Sequence, residues 1–159
     1  MRFSAPIIKF FRGLVLVGLV ITVAACARTP NADGGIGGAA TPGSQQEFLV
    51  TVGDRVFFET DSSVITSEGQ LTLDKQAVWL NRYSHFRVMI EGHADERGTR
   101  EYNIALGARR SAAVVNYLVS RGVSQARISS KSFGKERPVA ICNDISCWSQ
   151  NRRAVTIVQ

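Results

Sequence analysis

From Phe48 onward the apolar residues alternate in some stretches and recur at helical spacing in others, and these changes of period predict the elements of one domain. Phe48, Val50 and Val52 alternate and lead into a first strand over residues 55–58. The turn formers Thr60, Asp61, Ser62 and Ser63 end it. Ser67, with Gln70 three residues on, predicts a capping box that opens a helix to about residue 83, with Leu71, Leu73, Ala77, Val78 and Leu80 as its buried stripe. A second strand spans 86–91. Thr99 is a good N-cap for a second helix that runs to Arg121 and stops at Gly122. Its Ile104, Ala108, Ala112, Val115, Leu118 and Val119 recur at helical spacing and are expected to face the sheet. A strand over 127–133, a loop through Pro138, Cys142 and Cys147, and a closing strand over 153–158 complete the order βαβαββ. Such an alternation predicts an α/β (α+β) sandwich with two main helices on one face of a small, mixed, four-stranded sheet.

Before this domain the pattern changes twice. Arg2, Lys9 and Arg12 precede an apolar run from Leu14 to Ala25 that only Gly18 and Thr22 interrupt. Roughly a dozen apolar residues fall short of the ~20 that a spanning helix needs. They fit a secretory signal over residues 1–25. Val23-Ala24-Ala25-Cys26 then resembles a bacterial lipobox, which makes Cys26 the expected acylated N-terminus. More than one acyl chain, at about 0.8 kcal/mol per buried methylene, gives stable anchoring. Residues 26–46 are mostly Gly, Ala, Pro, Thr, Asn and Ser and read as a flexible linker, leaving residues 47–159 for the domain. About 20 such residues span ~25 Å on average and ~70 Å fully stretched, enough for a tethered domain to reach a separate layer.

The formal charge of +6 drops by three once Arg2, Lys9 and Arg12 leave with the signal, because residues 1–26 contain no Asp or Glu. The remainder gives little reason to invoke nucleic acid, and no basic run is interleaved with aromatic residues. With Cys26 assigned to lipid, Cys142 and Cys147 remain as an even pair in an oxidising compartment. They read as a disulfide, with two free thiols as the alternative; a metal site lacks a third and fourth ligand nearby.

The candidate chemistry lies between Glu91 and Asn103, in the run Glu91-Gly92-His93-Ala94-Asp95-Glu96-Arg97-Gly98-Thr99-Arg100-Glu101-Tyr102-Asn103. Asp95 follows the second strand, where loops commonly build sites in α/β sheets. Asn103, Leu106 and Arg110 are spaced i, i+3, i+7 and share one stripe of the helix. A carboxylate for an ammonium and a guanidinium for a carboxylate make an arrangement suited to a zwitterion. Taken alone, Asp95 serves equally well as a loop cap. Arg110 alone is as readily a solvated helix residue or a partner of Glu101. Arg109 points about 100° away from that stripe.

Glu91 to Asn103, the following residues 103–110, and Trp148-Ser149-Gln150-Asn151-Arg152-Arg153 together resemble the OmpA-like peptidoglycan-binding domain, in its peptidoglycan-associated lipoprotein (Pal) form. The resemblance implies that Asp95 holds the ammonium and Arg110 the carboxylate of meso-diaminopimelate in the wall's peptide stem. It implies a polar contact at Asn103 and a closing turn at Thr60 and Asp61, while Leu106, between the polar ends of the stripe, matches a short alkyl stem by its spacing alone. Arg97, Asn151 and Arg152 fall at further contacts or at the rim. It also implies an outer-membrane address facing the periplasm, peptidoglycan and the Tol-system protein TolB as partners, a role in envelope integrity and constriction, and no cofactor. A wall-modifying enzyme and a protein-interaction hub are the competing classes. Asp95 and Glu96 are adjacent and cannot flank one bond, and the two histidines are too few for a His-rich zinc site, so no catalytic or metal set is expected.

Overall fold

The computed structural model describes residues 40–159; the expected signal, Cys26 and most of the linker lie outside the described residues. Ser44 caps a short helix α1, Gln45–Glu47, by accepting from the Glu47 amide at 3.1 Å, and the helix continues as a π-helical turn, Phe48–Gly53. The strand lead-in expected from Phe48, Val50 and Val52 is therefore helical. Phe48 and Val52 are four apart and share a helical face as readily as a strand face. Phe48 is wholly buried against Trp79, with ring centroids 5.0 Å apart, while Val50 is exposed. The boundary drawn between 46 and 47 thus falls inside this segment, and Gln45 already reaches the Val158 carbonyl at 3.2 Å.

Strand β1, Arg55–Phe57, helix α2, Ser67–Arg82, and strand β2, Val88–His93, come next. Helix α3, Arg100–Ser120, strand β3, Ile128–Gly134, helix α4, Ile145–Asn151, and strand β4, Arg153–Val158, complete the chain. The sheet order is β1-β4-β2-β3, with β4 antiparallel to both neighbours and β2 parallel to β3. A parallel pair needs a long crossover, and α3 supplies it. Val56, Val88, Ile90, Ile128, Ala154 and Val158 face α2 and α3 and close one core with Leu73, Leu80, Val114 and Leu118. The expected fold, two main helices on one face of a mixed sheet, is the observed one.

Four local expectations give way to packing. The cap of α2 is Thr66, not Ser67: its Oγ1 accepts from the Gly69 amide at 3.1 Å. Leu71 and Val78 point outward, and the buried face instead includes Gln76, whose amide donates to Gly53 O at 2.7 Å and whose Oε1 accepts from Thr156 Oγ1 at 2.8 Å. A polar residue can occupy a core position when each of its polar atoms is paired. On α3 the buried face is Asn103, Leu106, Gly107, Arg110, Ser111, Val114, Val115 and Leu118, while Ala108, Ala112 and Val119 face out. The loop expected before the last strand contains α4, capped by Asp144, which accepts from the Ser146 amide at 2.8 Å.

Helix α3 lies almost on the sheet. A Cβ added at Gly92 would meet the Gly107 carbonyl oxygen at 1.9 Å, so the two glycines mark the closest approach of β2 and α3. Immediately beyond, the register with β3 shifts between Gly92 and His93. Such a bulge turns the strand end, and here it delivers Asp95 beside the start of α3.

Candidate ligand-binding site

Asp95 is 7% exposed and its carboxylate is crowded. Oδ1 accepts from the Arg97 backbone amide and from Arg97 Nε, each at 3.1 Å; Oδ2 accepts from Arg97 Nη2 at 2.7 Å. Arg152 Nη1 stands 3.5 Å from the same Oδ2. Burial pushes the Asp95 pKa up, but the hydrogen bonds and charge of Arg97, with Arg152 behind, outweigh it and hold the group below its ordinary 3.8. Asp95 is an anion throughout the neutral range.

A cavity of about 250 Å³ opens beside it, lined by Thr60, Asp61, Arg97, Gly98, Tyr102, Asn103 and Leu106 as well as Asp95. Thr60 and Asp61 form a tight turn in which Asp61 has φ of 55°, and the Tyr102 hydroxyl donates to the Asp61 carboxylate. Tyr102 thereby ties the turn to the first turn of α3. Sequence reasoning passed over it, since an exposed Tyr at a helix start carries no periodic signal. Asn103 is buried, and its Nδ2 donates to Arg97 O at 2.7 Å and Thr99 O at 3.1 Å. Its amide hydrogens are spent on bracing the loop, which leaves Oδ1 as its only group for a ligand.

Arg110 is 0% exposed and does not line this cavity. Its Nε donates to Ser62 O at 2.8 Å, Nη1 to His93 O at 2.8 Å and Nη2 to Glu59 O at 3.1 Å. Neither the solvated role nor a pairing with Glu101 is observed. Burial lowers its pKa to about 10, with Asp95 acting the other way, so it stays charged at neutral pH. A guanidinium carries five N–H groups, and these three bonds leave one on each Nη for a carboxylate.

The last motif divides by face. Arg152 is buried, donates from Nε to Phe58 O at 3.0 Å, and looks toward Asp95. Arg153 turns the other way, donating to Asn151 O at 3.3 Å and Arg137 O at 3.2 Å. Asn151 pins the preceding loop, accepting from the Val139 and Ala140 amides at 2.8 and 3.2 Å. Trp148 places its ring beneath the Arg97 guanidinium at 4.3 Å and donates from Nε1 to Glu96 at 3.1 Å. Cys142 and Cys147 are joined by a disulfide, Cα–Cα 5.6 Å, across the start of α4. Their sulfurs are bonded to each other, so the group they form with Asp144 offers no free thiolate to a metal.

His93 is buried and stacks on Phe133 with centroids 5.6 Å apart, and neither ring nitrogen has a hydrogen-bond partner among the described residues. Burial, then Arg153 and Arg137, lowers its pKa from 6.5 to about 4. The unfolded chain therefore takes up a proton at higher pH than the native one. Stability is expected to fall as pH drops from about 6.5 to about 4 and to level off below. The loss attributable to this group is roughly 3 kcal/mol. Thermal melts of His93→Gln against the wild type across that range check this: the variant should show a flatter profile, and an identical slope would remove His93 as the cause.

A small mixed sheet under two helices, with a fixed carboxylate and a buried guanidinium gathered at one strand end, defines an α/β binding domain of the OmpA class. The sequence profile of the OmpA family matches residues 57–152. The chain is 60% identical over 155 residues to the peptidoglycan-associated lipoprotein of Rhizobium meliloti (strain 1021), covering 92% of this chain and 88% of that protein. It is 49% identical over 125 residues to the peptidoglycan-associated lipoprotein of Pseudomonas aeruginosa, covering 78% and 74%. Among solved structures, the peptidoglycan-associated lipoprotein from Burkholderia pseudomallei is 40% identical with a TM-score of 0.65, over 67% of this chain and 90% of that one. The C-terminal domain of Helicobacter pylori MotB shares the fold alone, at 21% identity and a TM-score of 0.62, over 67% and 84%. The chain belongs to the OmpA family and, within it, to the peptidoglycan-associated lipoproteins.

Proposed function

We propose that this chain is an outer-membrane lipoprotein, anchored through Cys26, that binds peptidoglycan non-covalently by the meso-diaminopimelate of the peptide stem. The observation that carries the reading is a cavity lined by the buried, ionised Asp95 and the apolar Leu106, with Arg110 buried outside its lining and two of its guanidinium N–H groups not used by the three carbonyl bonds. Ammonium, alkyl stem and carboxylate of the ligand each have a counterpart. The same geometry favours binding over catalysis: an Asp95 held below its ordinary pKa is a poor general acid, and among the described residues no second carboxylate lines the cavity except Asp61, which is tied to Tyr102. Each charged contact contributes about 1.5–3 kcal/mol, which after the cost of ordering the peptide corresponds to micromolar affinity for one stem. Many stems on one polymer then give firm attachment by avidity. In this reading the protein joins outer membrane to wall, and TolB of the Tol system competes for the same surface during envelope constriction.

Calorimetric titration with a diaminopimelate-containing stem peptide and its Lys analogue tests this. The first should bind and the second should lose about tenfold or more, as removal of one charge-assisted contact demands. Asp95→Asn should lose about a hundredfold, and added TolB should lower the apparent affinity. Equal binding of the two peptides, or an unaffected Asp95→Asn, would sink the site.

A further inference from the structure

We propose that Arg97 is the residue that makes this site select a zwitterion over a lone ammonium, by occupying Asp95 until a ligand supplies both charges. This rests on the reading of the site given above and assigns its selectivity to one side chain.

Without ligand, Asp95 has little acceptor capacity to offer. A carboxylate has about four lone-pair sites. Three accept hydrogen bonds from Arg97, two of them from its side chain, and Arg152 Nη1 faces the remaining side of Oδ2 at 3.5 Å. An incoming ammonium must therefore displace a guanidinium. Arg152 is held: its side chain is 6% exposed and bonded to Phe58 O, whereas that of Arg97 is 41% exposed and comes from a surface loop. Arg97 is the one that can leave.

It also has a place to go. Its guanidinium lies on the Trp148 ring at 4.3 Å, and Trp148 is fixed by its bond to Glu96 and by its position on the disulfide-closed α4. An Arg can shift across an aromatic face and keep its cation–π attraction. The anion nearest to it there is Glu96, which is already engaged by Trp148 Nε1.

The consequence depends on the ligand. A lone ammonium exchanges one ion pair on Asp95 for another and leaves Arg97 with only the Glu96 carboxylate that Trp148 already engages, so little is gained. A zwitterion brings the ammonium for Asp95 and, on the same carbon, a carboxylate for the displaced Arg97 beside Arg110. One ion pair is replaced by two. Discrimination against the Lys-type stem thus comes from competition by Arg97 as well as from a missing contact.

Arg97→Gln in the whole chain, purified in detergent, separates these roles. The Lys-type stem should bind the variant about tenfold more tightly than it binds the wild type, while the diaminopimelate stem gains nothing or weakens, so that the selectivity ratio collapses. Arg97→Lys, which keeps the charge but loses the fork and the planar stack, should fall between. A thermal melt establishes that each variant is folded. An equal loss for both stems would make Arg97 an ordinary ligand contact, and no change for either would make it a bystander; each overturns the proposal while leaving the site intact. If wild-type protein binds neither stem, the reading of the site itself fails and this inference with it.

Discussion

Replacement of Arg110 by Met is expected to cost about 3–5 kcal/mol of folding stability and to abolish detectable binding of the diaminopimelate stem. Met approximates the volume, so the loss comes from hydrogen bonding more than from an empty cavity. The guanidinium holds three carbonyls, Ser62, His93 and Glu59, from two segments far apart in sequence, and none of its surface is exposed. Each carbonyl left unpaired in such a place costs about 1–3 kcal/mol. Relief from burying a cation offsets part of this, and the fall of its pKa to about 10 shows that the burial is unfavourable. Arg110 is thus a brace between the turn after β1 and the end of β2 as well as the proposed carboxylate contact. Denaturant unfolding checks the first role: a midpoint within about 1 kcal/mol of wild type would show that the turn holds without it. Asp95→Asn separates the second role, since it removes the ammonium's partner while the brace stays in place.

Gly92→Ala is expected to destabilise the domain by about 3 kcal/mol or more and to impair the site although it touches no ligand. The new Cβ would lie 1.9 Å from Gly107 O and 2.7 Å from its carbonyl carbon. Both are backbone atoms, so no side chain can rotate away; α3 must lift from β2. Because Asn103 and Arg110 ride on α3 and bond to the loops around Asp95, a lifted helix breaks those bonds together. Gly107→Ala is a graded control. Its closest contact is Ser132 Oγ at 2.4 Å, the end of a short side chain, although Gly92 O lies at 2.8 Å behind it. Wild-type melting of Gly92→Ala would show that the helix-to-sheet distance is set elsewhere.

Much of the fold was legible. Thr99 caps α3 and accepts from the Tyr102 amide at 3.2 Å, and Gly122, with φ of 91°, ends it as read. The last strand runs over Arg153–Val158, as the alternation predicts. These signals are local: a cap, a glycine at positive φ and a period of two are all set by the backbone near the residue concerned. The errors share a different cause. Phe48, Val50 and Val52 fit a strand or a helix, and only contact with Trp79 decides for the helix. The apolar Ala108, Ala112 and Val119 mark one face of α3, yet the helix buries the neighbouring face, because Gly107 and Ser111 let it lie close and Asn103 and Arg110 find partners there.

The site divides in the same way. Which residue types gather at the end of β2 follows from the chain: Asp95 after a strand, Arg97 two residues on, and Asn103, Leu106 and Arg110 on one helical stripe. What Arg110 and Trp148 bond to does not follow, because their partners are distant in sequence. Arg110 meets carbonyls 48 and 51 residues away, and Trp148 reaches the Glu96 carboxylate across 52. The sequence by itself determined the four strands, the two main helices and their order, since these depend on short-range periodicity and capping. Tertiary structure alone decided that Arg152 stands beside Asp95, that Arg97 rests on Trp148 and that Arg110 is buried as a brace, because long-range packing settles which polar groups lose water and which partners replace it.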